Sequence, residues 1–457
     1  MNQQFDAIVI GSGPGGIAAS TTLAAGGKKV AVIESRQWGG TCLNRGCMPT
    51  KIMLGATAPA GLLHSHRELG VLDGDIRVDY AALHRRVDAF IKTSADIIEN
   101  NMNALNITRI QGSAVCKDKG TLLVHGPDGD LTLSAPCIVL ALGTESAAFP
   151  GLTPDGDAVL DSTAVLRLPE VPESLIVVGA GAIGMELGDF FDSLGTRVTI
   201  VEAASQLAPT EDTDIAEELR ERVIASGRTC HTGVKARSLT TENGKAVLTL
   251  EDGTVLTAEK ALVAVGRKPN ITEEFACEKL GCTRDRRGYI VVDEHLQATE
   301  GVYAVGDING LTLLAHAARH QGVYVARREL GRTQAPYASG PVPSCIYGRT
   351  EVMRVGKTAK ELAASGAEVH VSRMPLKMNG ITQANGDLSG FVKAVWNGSS
   401  LAGIAAVGNG VSHLVTAAQL LVADQYTPER MPELMVAHPT LDGVLPLVIQ
   451  APRERFA

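Results

Sequence analysis

One pattern occurs twice in this chain. In FDAIVIGSGPGGIAAS an apolar run leads into Gly11-x-Gly13-x-x-Gly16 and then into small residues. LIVVGAGAIGMELG repeats it with Gly179-x-Gly181-x-x-Gly184. Each copy is followed by a second apolar run that ends in an acid, KKVAVIE at Glu34 and TRVTIVE at Glu202, equally far beyond its loop. A single glycine loop is weak evidence, because such a turn can pack a helix on a sheet with no ligand. Two matched copies, each between a strand signal and a helix signal, predict an α/β chain with two Rossmann-like dinucleotide-binding domains. The first glycine makes the tight turn, the second lets backbone approach a pyrophosphate, and the third lets helix pack on strand. The pyrophosphate is expected at the helix N-terminus, where free N–H groups and the dipole favour an anion. Each acid is expected to bind an adenosine ribose. AASQ follows Glu202, with no Arg to hold a 2′-phosphate and an acid that repels one. The second site is therefore expected to prefer NAD to NADP.

Two nucleotide sites imply two different dinucleotides, one fixed and one exchanging. What links them is suggested by GGTCLNRGCMPTK, residues 39–51, which begins just after Glu34 and holds Cys42 and Cys47. A helix is expected over the following KIMLGATAPAGLL. Cysteines at a helix N-terminus have depressed pKa values, which favours the reactive thiolate. A cysteine pair beside a flavin is a two-electron relay; the competing reading is a static disulfide or two core thiols. Cys277 and Cys282, in ACEKLGCT, have the same spacing but no glycine lead and no nucleotide loop before them. They are expected to be ordinary thiols, as are Cys116, Cys137, Cys230 and Cys345.

A chain of 457 residues is too long for one ordinary core. Its formal net charge of −8 argues against nucleic acid as a partner. No apolar run approaches the roughly 18–20 residues of a membrane span, and the N-terminus carries no signal-peptide pattern. Eight cysteines at this length is not the usage of a secreted scaffold. The expected location is the cytoplasm, with no membrane partner.

GGTCLNRGCMPTK beside two Rossmann loops resembles the pyridine nucleotide–disulfide oxidoreductases of class I, most of all the branch that oxidises dihydrolipoyl groups. The likeness runs almost end to end. ALGTES resembles the link leaving the flavin domain, and VAVGRKPN the end of the NAD domain. GVYAVGDINGLTLLAHAARHQG resembles the second flavin segment, VPSCIYGRTEVMRVG the opening of the interface domain, and AHPTL the segment with the catalytic histidine. The resemblance implies a discontinuous FAD-binding domain at about 1–150 and 271–335, an NAD-binding domain at 151–270, and a C-terminal α/β dimerisation domain at 336–457. It implies FAD and NAD as cofactors, no metal, and a homodimer. FAD would be held by Gly11, Gly13, Gly16, Glu34, Gly40, Thr41, Lys51, Ala114, Thr144, Asp307 and Ala315. NAD would be held by Gly179, Gly181, Gly184, Glu202, Val234 and Gly266.

The same resemblance assigns the chemistry. Cys42 and Cys47 would form a redox-active disulfide, with Cys42 attacked by the substrate dithiol and Cys47 facing the flavin. Lys51 would pair with Glu186, and His438 of the partner subunit would be the base. In the family an acid four positions beyond the histidine's proline orients the imidazole; here that position is Gly443, and Asp442 lies one residue earlier. The expected activity is oxidation of dihydrolipoyl groups on a carrier protein, passing electrons through Cys42–Cys47 and FAD to NAD. The alternatives are an NADH-dependent reductase of another small disulfide and a low-turnover regulatory flavoprotein. A mercuric ion reductase should end in a vicinal cysteine pair, whereas this chain ends in APRERFA.

Overall fold

The structure is a computed structural model that describes residues 2–456. The chain divides into two compact units. One comprises Met1–Pro49, His84–Ala147 and Arg267–Ser339; the other comprises Thr50–Leu83, Ala148–Gly266 and Gly340–Ala457.

In the first unit, strand Ala7–Ile10 lies inside a six-stranded sheet. Val30–Glu34 and Cys137–Leu140 flank it in parallel, and Thr108–Gln111, Val302–Ala304 and Gln297–Thr299 extend it. Every residue of the three central strands is buried. They are covered on both faces, which is why they read as unbroken apolar runs. Helix Pro14–Ala25 follows the first glycine loop, with proline in its first turn. It packs on helix Ala315–Glu329 at a close approach: a Cβ on Gly322 would lie 2.3 Å from the Gly15 carbonyl oxygen. Strands Thr144–Ser146 and Arg267–Pro269 pair antiparallel, so the chain leaves and re-enters this unit side by side. A four-stranded sheet of Asn2–Gln4, Gly129–Ser134, Thr121–Gly126 and Ser113–Asp118 completes the unit. The core beneath it holds Cys116, Cys277 and Cys282. Burial pushes the Cys116 and Cys282 thiols up to about 12, which makes them inert core residues.

The second unit repeats the pattern. Ser174–Val178 lies between Arg197–Glu202 and Lys260–Val263 in a parallel five-stranded sheet, with Thr229–Thr232 and Val159–Leu160 at its edges. The strand order around the glycine strand is the same as in the first unit. A three-stranded antiparallel ribbon, Ala236–Glu242, Lys245–Leu250 and Val255–Ala258, shares its core. The third sheet is antiparallel, in the order Pro343–Ile346, Glu351–Gly356, Ser400–Gly408, Phe391–Asn397, Val369–Pro375, Glu454–Arg455. Helices Val415–Ala423 and Val444–Gln450 close its core around Trp396. Charged side chains join this sheet to the nucleotide-type sheet. Lys393 is fully buried, its Nζ 2.7 Å from Asp212 and 2.6 Å from Asp214. Asp212 also accepts the Ala359 and Lys360 N–H groups. Arg354 reaches Glu211 at 3.0 Å, and Arg222 reaches Asp387 at 2.6 Å. Among the described residues no helix is long and apolar enough to cross a membrane.

Candidate active site

The two glycine loops have the same geometry. Gly11 and Gly179 have φ of 103° and 104°, a left-handed turn that favours glycine. Side chains there would also collide, with Cβ atoms 2.3 Å from the Ala141 oxygen and 2.4 Å from the Ala264 oxygen. A Cβ on Gly16 or Gly184 would lie 1.9 Å from the Gly11 or Gly179 oxygen. The middle glycines differ. A Cβ on Gly13 or Gly181 would meet nothing within 4 Å. The protein's own packing does not require them, and the bare backbone leaves room for a group to approach from outside. Both are helix N-caps with no side-chain cap and no acid in the first turn. The first-turn N–H groups are thus left for an anion, and a dinucleotide pyrophosphate fits both places.

The two acids are fixed in matching ways. Glu34 accepts the Ser12 N–H at 2.9 Å and the Arg36 N–H at 2.8 Å. Glu202 accepts the Ala180 N–H at 2.7 Å and the Ala204 N–H at 2.8 Å. Each carboxylate is held at the end of its strand by backbone beside its own loop.

The cysteine segment packs on the first loop. Gly39, with φ 96°, caps the short helix Gly40–Arg45, which carries Thr41 and the half-buried Cys42. A Cβ on Gly40 would lie 2.8 Å from the Gly13 Cα, so this helix starts against the middle glycine of the first loop. Cys47 is exposed and opens the 22-residue helix Cys47–Glu68, whose first turn holds no acid. That start is where the dipole favours a thiolate. Lys51 follows one turn along. Its Nζ is 2.6 Å from Glu186 Oε2 and 4.6 Å from the centre of the Tyr347 ring. The Tyr347 N–H donates to the other Glu186 oxygen at 3.2 Å. Burial pushes the Glu186 carboxyl up, while Lys51 and the Tyr347 N–H pull it back.

Asp307 is held in the short turn Gly306–Asn309. Thr144 donates to it at 2.6 Å, and Arg267 donates to the Thr144 hydroxyl at 2.6 Å and to its carbonyl at 2.7 Å. Gln321, almost wholly buried, accepts the Gly306 N–H at 2.7 Å and so fixes the turn before Asp307. Ala315 begins helix Ala315–Glu329. Ala114 lies on strand Ser113–Asp118, paired with Val124 rather than in the main sheet. Val234 donates its N–H to the Glu202 carbonyl at 3.3 Å. Gly266 has φ 133°, with open space where a Cβ would be.

His438 is exposed, and the His438–Pro439 peptide is cis. Asn379 steadies its loop by donating to the Thr440 carbonyl at 3.0 Å. Among the described residues no hydrogen bond or ion pair joins His438 to Asp442, although both lie in this loop. Gly443 has φ −56°, which any residue can adopt.

Sequence reasoning missed Ser12, Arg267, Gln321 and Tyr347 as residues that hold the site. All four lie in motifs already singled out, and a search for partners of Thr144 and Lys51 could have reached Arg267 and Tyr347. Gln321 offers one weak signal, a polar residue on the buried face of an amphipathic helix.

Comparison with known proteins agrees with this geometry. Residues 5–322 match the pyridine nucleotide-disulphide oxidoreductase family, and residues 342–448 match its dimerisation domain. The dihydrolipoyl dehydrogenase of Chlamydia muridarum is 32% identical over 452 residues, covering 97% of this chain and 96% of that protein. That of Bacillus subtilis is 31% identical over 463 residues, covering 97% of each. Among solved structures, LpdA from Mycobacterium tuberculosis superposes with a TM-score of 0.89 at 26% identity, covering 97% of this chain and 99% of that one. The HOCl-induced flavoprotein disulfide reductase RclA from Escherichia coli superposes with a TM-score of 0.85 at 25% identity, with 97% and 99% covered. Matched over both its nucleotide loops and its C-terminal sheet, the chain belongs to the pyridine nucleotide-disulphide oxidoreductase family.

Proposed function

We propose that this chain is a cytoplasmic dihydrolipoyl dehydrogenase, an FAD-dependent dithiol–disulfide oxidoreductase that uses NAD. One observation carries the reading: the cysteine helix starts against Gly13, the bare glycine of the first nucleotide loop. A cysteine pair in that position has a redox partner at hand. Gly11, Gly13, Gly16, Glu34, Thr144 and Asp307 would hold FAD; Gly179, Gly181, Gly184 and Glu202 would hold NAD.

The roles of the side chains follow from thiol chemistry. One thiolate of the dihydrolipoyl group attacks Cys42 of the Cys42–Cys47 disulfide and displaces Cys47 as a thiolate. The second substrate thiol then displaces Cys42, leaving a lipoyl disulfide and two reduced cysteines. His438 of the partner subunit takes a substrate thiol proton. Bound flavin supplies the two-electron link from the dithiol to NAD⁺. Lys51, fixed by Glu186 and Tyr347, places positive charge one helical turn from Cys47 and favours its thiolate. The working unit is a homodimer. Leu434 and Met435, the latter 99% exposed, shortly precede His438 in the chain and offer apolar surface that a second copy would cover. The carrier of the dihydrolipoyl group would be a lipoyl protein.

The direct test is turnover of purified, FAD-loaded protein with NAD⁺ and dihydrolipoamide. NADH should appear, and NADP⁺ should serve poorly. Absence of any dihydrolipoamide-dependent NADH would sink the proposal. Glu202→Ala should raise the KM for NADH about tenfold and narrow the preference over NADPH, because the ribose loses a fixed acceptor. A wild type that turns over NADPH faster would refute this assignment.

A second reading, an NADH-dependent reductase of another disulfide, is favoured by one feature. Among the described residues no hydrogen bond or ion pair joins Asp442 to His438, and a base without that support serves dithiol oxidation poorly. Under this reading NADH oxidation by a disulfide acceptor would outpace NAD⁺ reduction by dihydrolipoamide.

A further inference from the structure

Ser12 sits between the first two glycines of the first loop, fully buried. Its hydroxyl donates to Glu34 Oε2 at 2.7 Å and accepts the Gly39 N–H at 3.0 Å, while its own N–H donates to the same Glu34 oxygen at 2.9 Å. The direction of this chain of bonds is fixed. An ionised carboxylate only accepts and an amide N–H only donates, so the hydroxyl must point its proton at Glu34 and its lone pair at Gly39. A charged acceptor at one end polarises the hydroxyl and strengthens the bond at the other.

The second loop is an internal control. Ala180 stands at the equivalent place, and its N–H serves Glu202 as the Ser12 N–H serves Glu34. No hydroxyl is needed there to hold the acid. What the first loop has in addition is Gly39, the buried cap of the helix that carries Cys42. Burial leaves the Gly39 N–H dependent on the Ser12 oxygen, since an unsatisfied buried amide is costly. Glycine at 40 sets the helix against the loop by contact, and Ser12 sets where it begins.

We propose that Ser12 is a positioning residue that ties the helix carrying Cys42 to the acid of the first dinucleotide site. The proposal rests on the reading of Cys42 and Cys47 as the redox pair of a flavoprotein. It holds that Ser12 serves the cysteines more than it serves the cofactor.

The experiment compares FAD-loaded wild type with Ser12→Ala and Ser12→Thr. Ser12→Ala should bind FAD no more than about tenfold more weakly, because Glu34 keeps both backbone donors and one hydrogen bond is lost. Its Gly39 amide should exchange hydrogen at least about tenfold faster, measured on peptides spanning residues 37–46. The long-wavelength absorbance of the two-electron-reduced protein, which reports the cysteine thiolate against the flavin, should fall by about half or more. Ser12→Thr, which keeps the hydroxyl, should restore both signals. Unchanged exchange and absorbance in Ser12→Ala would overturn the proposal. So would loss of FAD by more than about 100-fold, which would place the hydroxyl in the cofactor pocket, or a Ser12→Thr protein as altered as the alanine variant. Should the alanine variant fail to fold, wild type alone decides. Its Gly39 amide must be protected, and exchange at the open-chain rate would overturn the proposal. A wild type with no long-wavelength absorbance at all would instead count against the redox reading, while the exchange measurement would still judge the tie from Ser12 to Gly39.

Discussion

A Cys47→Ser variant, loaded with FAD and reduced by two electrons, is expected to show no long-wavelength absorbance and to lose dithiol turnover by about 10³-fold or more. The band arises when a thiolate donates charge to the flavin, and Cys47 opens the helix whose N-terminus stabilises such a thiolate. Cys42→Ser should behave in the opposite way. It would remove the sulfur proposed to take the substrate's attack and keep Cys47 out of a disulfide with residue 42, so the band should persist without added reductant. Turnover should be lost equally. Cys277→Ser is the control for spacing, because Cys277 lies in an apolar core with Cys116 and Cys282. It should leave the band in place. Identical spectra from Cys42→Ser and Cys47→Ser would show that the two roles are wrongly assigned.

The second large effect concerns His438, the proposed base. His438→Ala should lower dihydrolipoamide oxidation by about 10²–10⁴-fold and spare NADH oxidation by artificial acceptors, which need no thiol proton removed. Mixing inactive Cys42→Ser with inactive His438→Ala chains should restore one working site per heterodimer, because each site would draw on both chains. No recovery after verified subunit exchange would refute the shared site. The orienting acid can be probed in the same assay. Gly443 has a backbone that accepts any residue, and a Cβ there would lie 3.4 Å from Asn379 Nδ2, an ordinary contact. Gly443→Glu should therefore raise dithiol turnover by giving the imidazole a carboxylate partner. Asp442→Asn should lower turnover if Asp442 swings to His438 when substrate binds, and should do nothing if water fills that role. Both variants silent, with wild type limited by NAD reduction, would mean that this histidine needs no acid.

The first and third glycines of each loop were legible because packing leaves no choice. Gly16 and Gly184 each sit 1.9 Å, at the missing Cβ, from the turn they pack on, so their spacing in the chain records a contact in space. Glu34 and Glu202 were legible for a related reason: each closes a buried strand with a charge that only a backbone clamp or a ligand can satisfy. The helix after the cysteines was also anticipated, although Pro59 lies inside it. Ser12 was not, because a serine among glycines looks like any small loop residue until its two partners are in place. Nor was the pairing of Lys51 with the Tyr347 ring. It joins side chains nearly 300 residues apart, and nothing periodic in sequence marks such a pair. The state of Asp442 was open for the same reason, since one residue of register in a loop decides where a carboxylate points.

Lys393 bears on how this chain can be divided and inherited. Its ammonium sits in a dry place between Asp212 and Asp214. Removing one partner of a buried pair costs about 3–5 kcal/mol, because the other charge is left without solvent or counter-ion. A recombinant that took residues 148–266 from one relative and 340–457 from another would strand that lysine if neither acid came with it. The C-terminal sheet is thus not a module that can be traded alone. In this chain the segment that would read NAD and the segment that would build the dimer share a buried charge cluster, and a change on either side of the Lys393 contact is felt on the other.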